Sequence, residues 1–171
     1  MQTTVTLTIN APAEAVFKLL TEPDQVRRWM PDIESTETVS TPEDGSIVGT
    51  RFRQRIRNRN SSSVGSVRFS TFEGVISEFE PPQLFAVRMG TPLFLLESRY
   101  ELSRGPGDST DLQCHTHGRV THWLMKWLGG LMDTLLAKAM HFGLSQHLEV
   151  LKQVAESDAA ATDSDSESRN G

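Results

Sequence analysis

Residues 84–121, LFAVRMGTPLFLLESRYELSRGPGDSTDLQCHTHGRVT, decide the fold. Their runs of apolar residues alternate with polar ones, and turn clusters at Gly90–Pro92 and Gly105–Ser109 divide them. Period-two alternation puts every second side chain on one face of a sheet, and links this short join antiparallel neighbours. In the run Phe94–Leu102, an inward Tyr100 and Leu102 bring Ser98, Leu96 and Phe94 to the same face. By the same rule an inward Leu112 brings Cys114 and Thr116, and the run Leu84–Met89 turns Phe85, Val87 and Met89 inward.

Upstream, Ile33–Ser40, Val48–Arg57 and Ser66–Phe79 read as further strands, separated by turns at Pro42–Gly45, Asn58–Ser63 and Pro81-Pro82. An inward Phe52 carries Gln54 and Ile56 with it. Ser66–Phe79 fits two registers, because Phe69, Thr71, Glu73 and Val75 alternate with Phe72, Gly74 and Ile76. Gly74 is a candidate bulge that would switch faces, so the side on which Glu73 falls stays open. Before these strands, Thr3–Ile9 alternates as a first strand. A helix to about Leu20 follows, with Asn10 as N-cap, Pro12 in its first turn and Ala15, Val16, Leu19 and Leu20 as its buried stripe. The segment DQVRRWM at 24–30 supplies a second short helix carrying Trp29, which Pro31 stops.

Downstream, the period becomes helical after Trp123 and stays so to about Glu156. A helix of about 30 residues spans roughly 45 Å, enough to cross the whole sheet. At about 100° per residue, Leu124, Leu128, Leu131, Leu135, Ala139 and Phe142 share one face, and Leu144, His147, Leu148, Leu151 and Val154 another. Gly143 is where the burial face is expected to turn. The segment 157–171, SDAAATDSDSESRNG, is polar and acidic and is expected to be a disordered tail. The expectation is one α+β domain over 1–156, about seven curved antiparallel strands around a long C-terminal helix, with two short helices after strand one.

Composition limits the function classes. The chain has 171 residues, of which 37% are hydrophobic and 23% charged, an ordinary balance for a single soluble core. The net charge is −5. Asp158, Asp163, Asp165 and Glu167, against Arg169, leave a body near −2, which argues against nucleic acid because phosphate binding needs a concentrated basic surface. The one cysteine, Cys114, has no disulfide partner and fits a reducing compartment, and the N-terminus lacks the pattern of a secretory signal, so the cytoplasm is expected.

The element order resembles the START-like or Bet v 1-like (SRPBCC) superfamily with its helix-grip fold, and within it the polyketide cyclase/dehydratase and lipid-transport-like families. The stretches that carry the resemblance are INAPAEAVFKLLTEPDQVRRWMPDI at 9–33, GTRFR at 49–53, VISEFEPPQLFAVR at 75–88 and SRYELSRGPGDSTDLQ at 98–113. Phe17 stands where the family usually has Trp, and Ser109-Thr110 where it has Gly-Thr. Members range from lipid and hormone carriers, through coenzyme Q-binding proteins and chaperone co-activators, to cyclases and hydrolases, so the fold alone does not fix the chemistry.

The resemblance implies a cavity between the inner sheet face and the long helix. Its expected ligand-binding wall is Phe52, Gln54 and Ile56; Phe85, Val87 and Met89; Leu96, Ser98 and Tyr100; Cys114 and Thr116; with Trp29 above and Trp127, Leu131 and Leu135, beside Met132 and Met140, as the floor. Gln54, Tyr100 and Thr116 would fix a polar end. The plainer reading is that these side chains simply fill a core. Catalysis would need an acid and a base converging in a dry pocket, for which Glu73, Tyr100 and His141 are the candidates. His115 and His117 share a strand face, but alternation from Leu112 puts them outside, so no metal site and no cofactor are expected. Arg51, Arg53, Arg55, Arg57 and Arg59 read as a solvated ladder of cross-strand ion pairs or, less plainly, a dock for a protein client. The run WLMKWLGGLM at 123–132 suits a transient membrane contact but is too short to span a bilayer.

Overall fold

The structure, a computed structural model, describes the backbone of residues 1–57, 69–92, 94–120 and 130–168, and the side chains of these except 120, 130–136 and 163–168. Strand β1 (Gln2–Ile9) leads into helices α1 (Ala13–Thr21) and α2 (Pro23–Trp29). Strands β2 (Ile33–Ser40), β3 (Arg51–Arg57), β4 (Phe69–Glu80), β5 (Leu84–Thr91), β6 (Phe94–Arg104) and β7 (Thr110–Val120) follow, and helix α3 (Gly130–Ser168) closes the order. The strands form one antiparallel sheet in the order β1-β7-β6-β5-β4-β3-β2. This is the expected helix-grip architecture; the turn expected at Asn58–Ser63 lies outside the described residues.

Register settles which side chains face the helices. Tyr100 sits opposite Cys114 and Phe85, Ser98 opposite Thr116 and Val87, and Gln54 opposite Thr36 and Phe72. The two-faced reading of β4 resolves through a bulge at Ser77, not at Gly74: the pairing with β5 slips between Ile76 and Glu78. That extra residue lets both Ile76 and Phe79 reach the inner face, and it leaves Glu73 outside. Gly74 has a different duty. A Cβ there would lie 2.4 Å from the Phe52 ring, so its bare backbone makes room for that ring.

Helix α1 begins two residues later than Asn10 would set it: the N-cap is Pro12, without a side-chain bond. Asn10 instead gives its N–H to a Glu156 carboxylate oxygen at 2.9 Å. Val16, Phe17, Leu19 and Leu20 bury the inner face of α1, so the stripe includes Phe17 where Ala15 was expected. Rings of Phe17, Phe79 and Phe85 meet edge to face at centroid distances of 5.4–6.5 Å, a geometry that adds to the burial of each ring. The Trp29 indole N–H donates to the Leu19 carbonyl at 2.7 Å and joins the two short helices. Thr110 ties β7 to the turn after β1 by donating to the Ala11 carbonyl at 2.7 Å.

Two readings of the long helix need correction. Leu148, Leu151 and Ala155 are buried against the core, but Phe142 is 64% exposed and Ala139 is exposed too, so in this part of α3 the stripe through Leu144, Leu148 and Leu151 faces inward and that through Phe142 does not. Leu148 and Leu151 each contribute about 1.5–3 kcal/mol through burial. The segment after Glu156 is helix to Ser168, not a disordered tail. Its alanines are strong helix formers, Ala159 packs on the core, and Asp158 meets Arg28 of α2 in a two-pronged pair with N–O distances of 2.6 and 2.8 Å. Composition alone concealed these tertiary contacts.

Candidate functional site

A cavity of about 440 Å³ lies between the concave sheet face, α2 and α3. From the sheet come Phe52, Gln54, Ile56, Ile76, Phe85, Val87, Met89, Leu96, Ser98, Tyr100 and Thr116; from the helices come Leu20, Val26, Trp29, Met30, Met140, Leu144 and His147. Alternation explains the sheet half: each inner residue is two positions from the next along its strand and directly opposite an inner residue of the neighbour. Met140, Leu144 and His147 recur at helical spacing and form one stripe of α3. A mostly apolar wall with a few polar groups is the usual make-up of a small-molecule pocket.

The polar groups fall into two sets. On β6 and β7 the Ser98 and Thr116 hydroxyls lie 3.3 Å apart, and the Cys114 thiol lies 3.6 Å from Thr116. Burial pushes the Cys114 thiol up to about 11 and holds the Tyr100 phenol protonated far above its ordinary range, so both stay neutral near pH 7. On β2 and β3, Thr36 and Gln54 sit opposite each other and both line the cavity. The Thr36 hydroxyl oxygen is shielded from solvent and has no hydrogen-bond partner.

Most of the expected wall is therefore brought together. Cys114 is the exception among described residues: it is fully buried in the core behind Tyr100 and Thr116 rather than lining the space. Trp127 lies outside the described residues, as do the side chains of Leu131 and Leu135, although both backbones belong to α3. The polar lining that sequence reasoning missed is Thr21, Thr36, Thr38, Thr50 and His147. The helical stripe did include His147, and the β2 pattern held the signal for Thr36 and Thr38 once β2 was paired with β3.

The acid/base pair does not form. Glu73 is on the convex face, where Arg53 holds it at 2.8 Å and keeps its carboxyl below the usual range by hydrogen bonding and charge. His141 is exposed on α3, and its Nδ1 meets the Thr3 hydroxyl at 2.7 Å. Neither reaches the cavity. His115 and His117 are on the convex face, His115 bonded to Thr4 at 3.0 Å and His117 4.0 Å from Glu97. Two rungs of the arginine ladder pair across strands, Arg53 with Glu73 and Arg55 with Glu34 at 3.0 Å, and on β6 Arg99 meets Glu78 of β4 and Glu101 of its own strand. Arg59 and part of the run 123–132 fall outside the described residues. No helix among the described residues is long and apolar enough to cross a membrane.

Compared with known proteins, residues 1–156 match the model of the polyketide cyclase / dehydrase and lipid transport family. No curated protein matches the sequence. Among solved structures, a START superfamily protein from Mycobacterium smegmatis superposes with a TM-score of 0.69 at 16% identity, covering 91% of this chain and 97% of that one. A protein from Thermus thermophilus gives 0.68 at 17% identity, with 93% and 99% covered. The di-domain ARO/CYC BexL from the BE-7585A biosynthetic pathway gives 0.65 at 18%, covering 91% of this chain and 50% of that chain. At such identities the likeness speaks to the fold.

Proposed function

The chain belongs to the polyketide cyclase/dehydrase and lipid transport family, and from that premise we propose that it binds or carries a small hydrophobic ligand, of lipid, isoprenoid or polyketide-like character, inside the sheet-helix cavity. The observation that carries this reading is the space of about 440 Å³ with a mostly apolar wall. Apolar wall left facing water is unfavourable, and a hydrophobic guest covers it. The wall residues Phe52, Ile56, Val87, Met89, Leu96 and Leu144 supply apolar contact, and Gln54, Ser98 and Thr116 orient the guest by hydrogen bonds.

A reducing compartment, with the cytoplasm as the proposed one, suits the buried Cys114 thiol. Catalysis by Glu73 with His141 is not part of the proposal, since the two side chains share no space. The test is native mass spectrometry of the purified protein after exposure to a total lipid extract. Retained adducts of lipid-like mass, lost when Val87 and Leu96 are replaced by Trp, support the reading. A protein that stays folded and retains nothing counts against it.

A further inference from the structure

The cavity carries hydrogen-bonding groups at two separated places, and their separation says something about the guest. One set is Ser98 and Thr116, whose hydroxyls share one contact of 3.3 Å and so keep acceptor capacity to spare. The other is Gln54 beside Thr36, across the sheet on β3 and β2. Three strand spacings separate β6 from β3, roughly 14 Å along the sheet at about 4.8 Å each. The register adds an offset along the strands: Ser98 is level with Ile76 of β4 through Val87, whereas Gln54 is level with Phe72. One functional group cannot serve both sets.

The Thr36 hydroxyl is the telling detail. It is the one buried side-chain oxygen or nitrogen among the described residues that lacks a partner, and such a group is costly to keep dry. Thr36 belongs to the cavity wall, and Gln54, opposite it, presents an amide that both donates and accepts. The Thr36 oxygen is closed off from the cavity as it is from solvent, so a guest oxygen held by the Gln54 amide relieves it only as the Thr36 side chain turns toward that guest. The described wall contains no Lys, Arg, Asp or Glu side chain. A carboxylate guest would shed its water without a Lys or Arg partner, which is unfavourable in an apolar space.

Resting on the binding function proposed above, we propose that the ligand is an elongated apolar molecule with two neutral oxygen functions, one held by Ser98 and Thr116 and the other by Gln54 and Thr36. The pair at β2 and β3 is a specificity-determining site: it selects guests with a second polar end over guests with one.

Displacement of an environment-sensitive dye, 1-anilinonaphthalene-8-sulfonate, by three probes of equal chain length tests this. The probes are 1-decanol, decane-1,10-diol and decanoate. A neutral hydrogen bond is worth about 0.5–1.5 kcal/mol net, so the diol is expected to bind about three- to tenfold more tightly than the mono-alcohol, and decanoate most weakly at pH 8. Thr36→Val and Gln54→Leu are expected to erase the diol preference, so that in each variant the diol binds no more tightly than 1-decanol. Thr36→Val is nearly isosteric, and a melting temperature equal to or above that of the parent establishes that it is folded. Equal affinity for diol and mono-alcohol, or a preference that survives both substitutions, overturns the inference while leaving the cavity reading intact. Binding by none of the three overturns both.

Discussion

Replacing Gly74 by Ala gives the sharpest view of how the cavity is shaped. The new Cβ would lie 2.4, 2.7 and 3.0 Å from three ring carbons of Phe52, all closer than carbon atoms approach. Backbone on a paired central strand cannot retreat, so the ring must, and Phe52 is part of the cavity wall. Overpacking costs about 1–3 kcal/mol in a filled core, but here the ring has open space to enter, which places the cost near the lower end, about 1 kcal/mol. Against it stands the gain of about 0.5–1 kcal/mol from replacing a strand glycine by alanine. The net effect on stability is therefore small, whereas the displaced ring occupies ligand space. Dye and 1-decanol affinity are expected to fall by about tenfold, or about 1.4 kcal/mol. The control is the same substitution made beside Phe52→Ala. With the ring gone, Gly74→Ala is expected to stabilise the protein and leave affinity unchanged, giving a coupling of about 1 kcal/mol or more in the double-mutant cycle. Equal effects of Gly74→Ala in both backgrounds would refute the reasoning, because the ring contact would then be irrelevant.

Leu151→Ala removes a fully buried side chain and is expected to cost about 2–5 kcal/mol in urea unfolding. Arg28→Ala breaks the pair with Asp158; both partners are about half exposed, so the expected loss is about 1 kcal/mol or less and shrinks in high salt. Hydrogen bonding to Arg28 lowers the Asp158 pKa in the folded state, so the pair stabilises the protein above the ordinary aspartate value and loses that effect as pH falls below about 4. The acid-side stability difference between parent and Arg28→Ala should therefore close there, and a constant difference would contradict the assignment. With burial holding the Cys114 thiol up at about 11, iodoacetamide at pH 8 is expected to label it many times more slowly in the native protein than in urea, as intact mass will record.

The inner sheet face was legible because a period of two leaves one free choice per strand, and one anchor such as Tyr100, Leu112 or Phe52 settles it. β4 escaped that logic. Its bulge at Ser77 changes parity midway, and nothing in SEF at 77–79 announces it, whereas Gly74 drew attention as the usual bulge residue and instead accommodates an aromatic ring. The stripe on α3 was ambiguous because two apolar faces were available, and packing on β1, α1 and α2 chose the one through Leu148 and Leu151. Helix beyond Glu156 depends on Arg28, more than a hundred residues away, which no local window contains. The cavity itself was expected through resemblance; apolar composition cannot distinguish a wall from a filling.

The central claim is that the space between sheet and α3 receives a hydrophobic guest. Methyl spectra of methionine-labelled protein, titrated with 1-decanol, test it most directly, because Met30 just after α2, Met89 on β5 and Met140 on α3 line that space. Saturable shifts of all three methyls are the expected result. Titration to saturation that leaves these three methyl signals in place, in a protein that remains folded, would contradict the account.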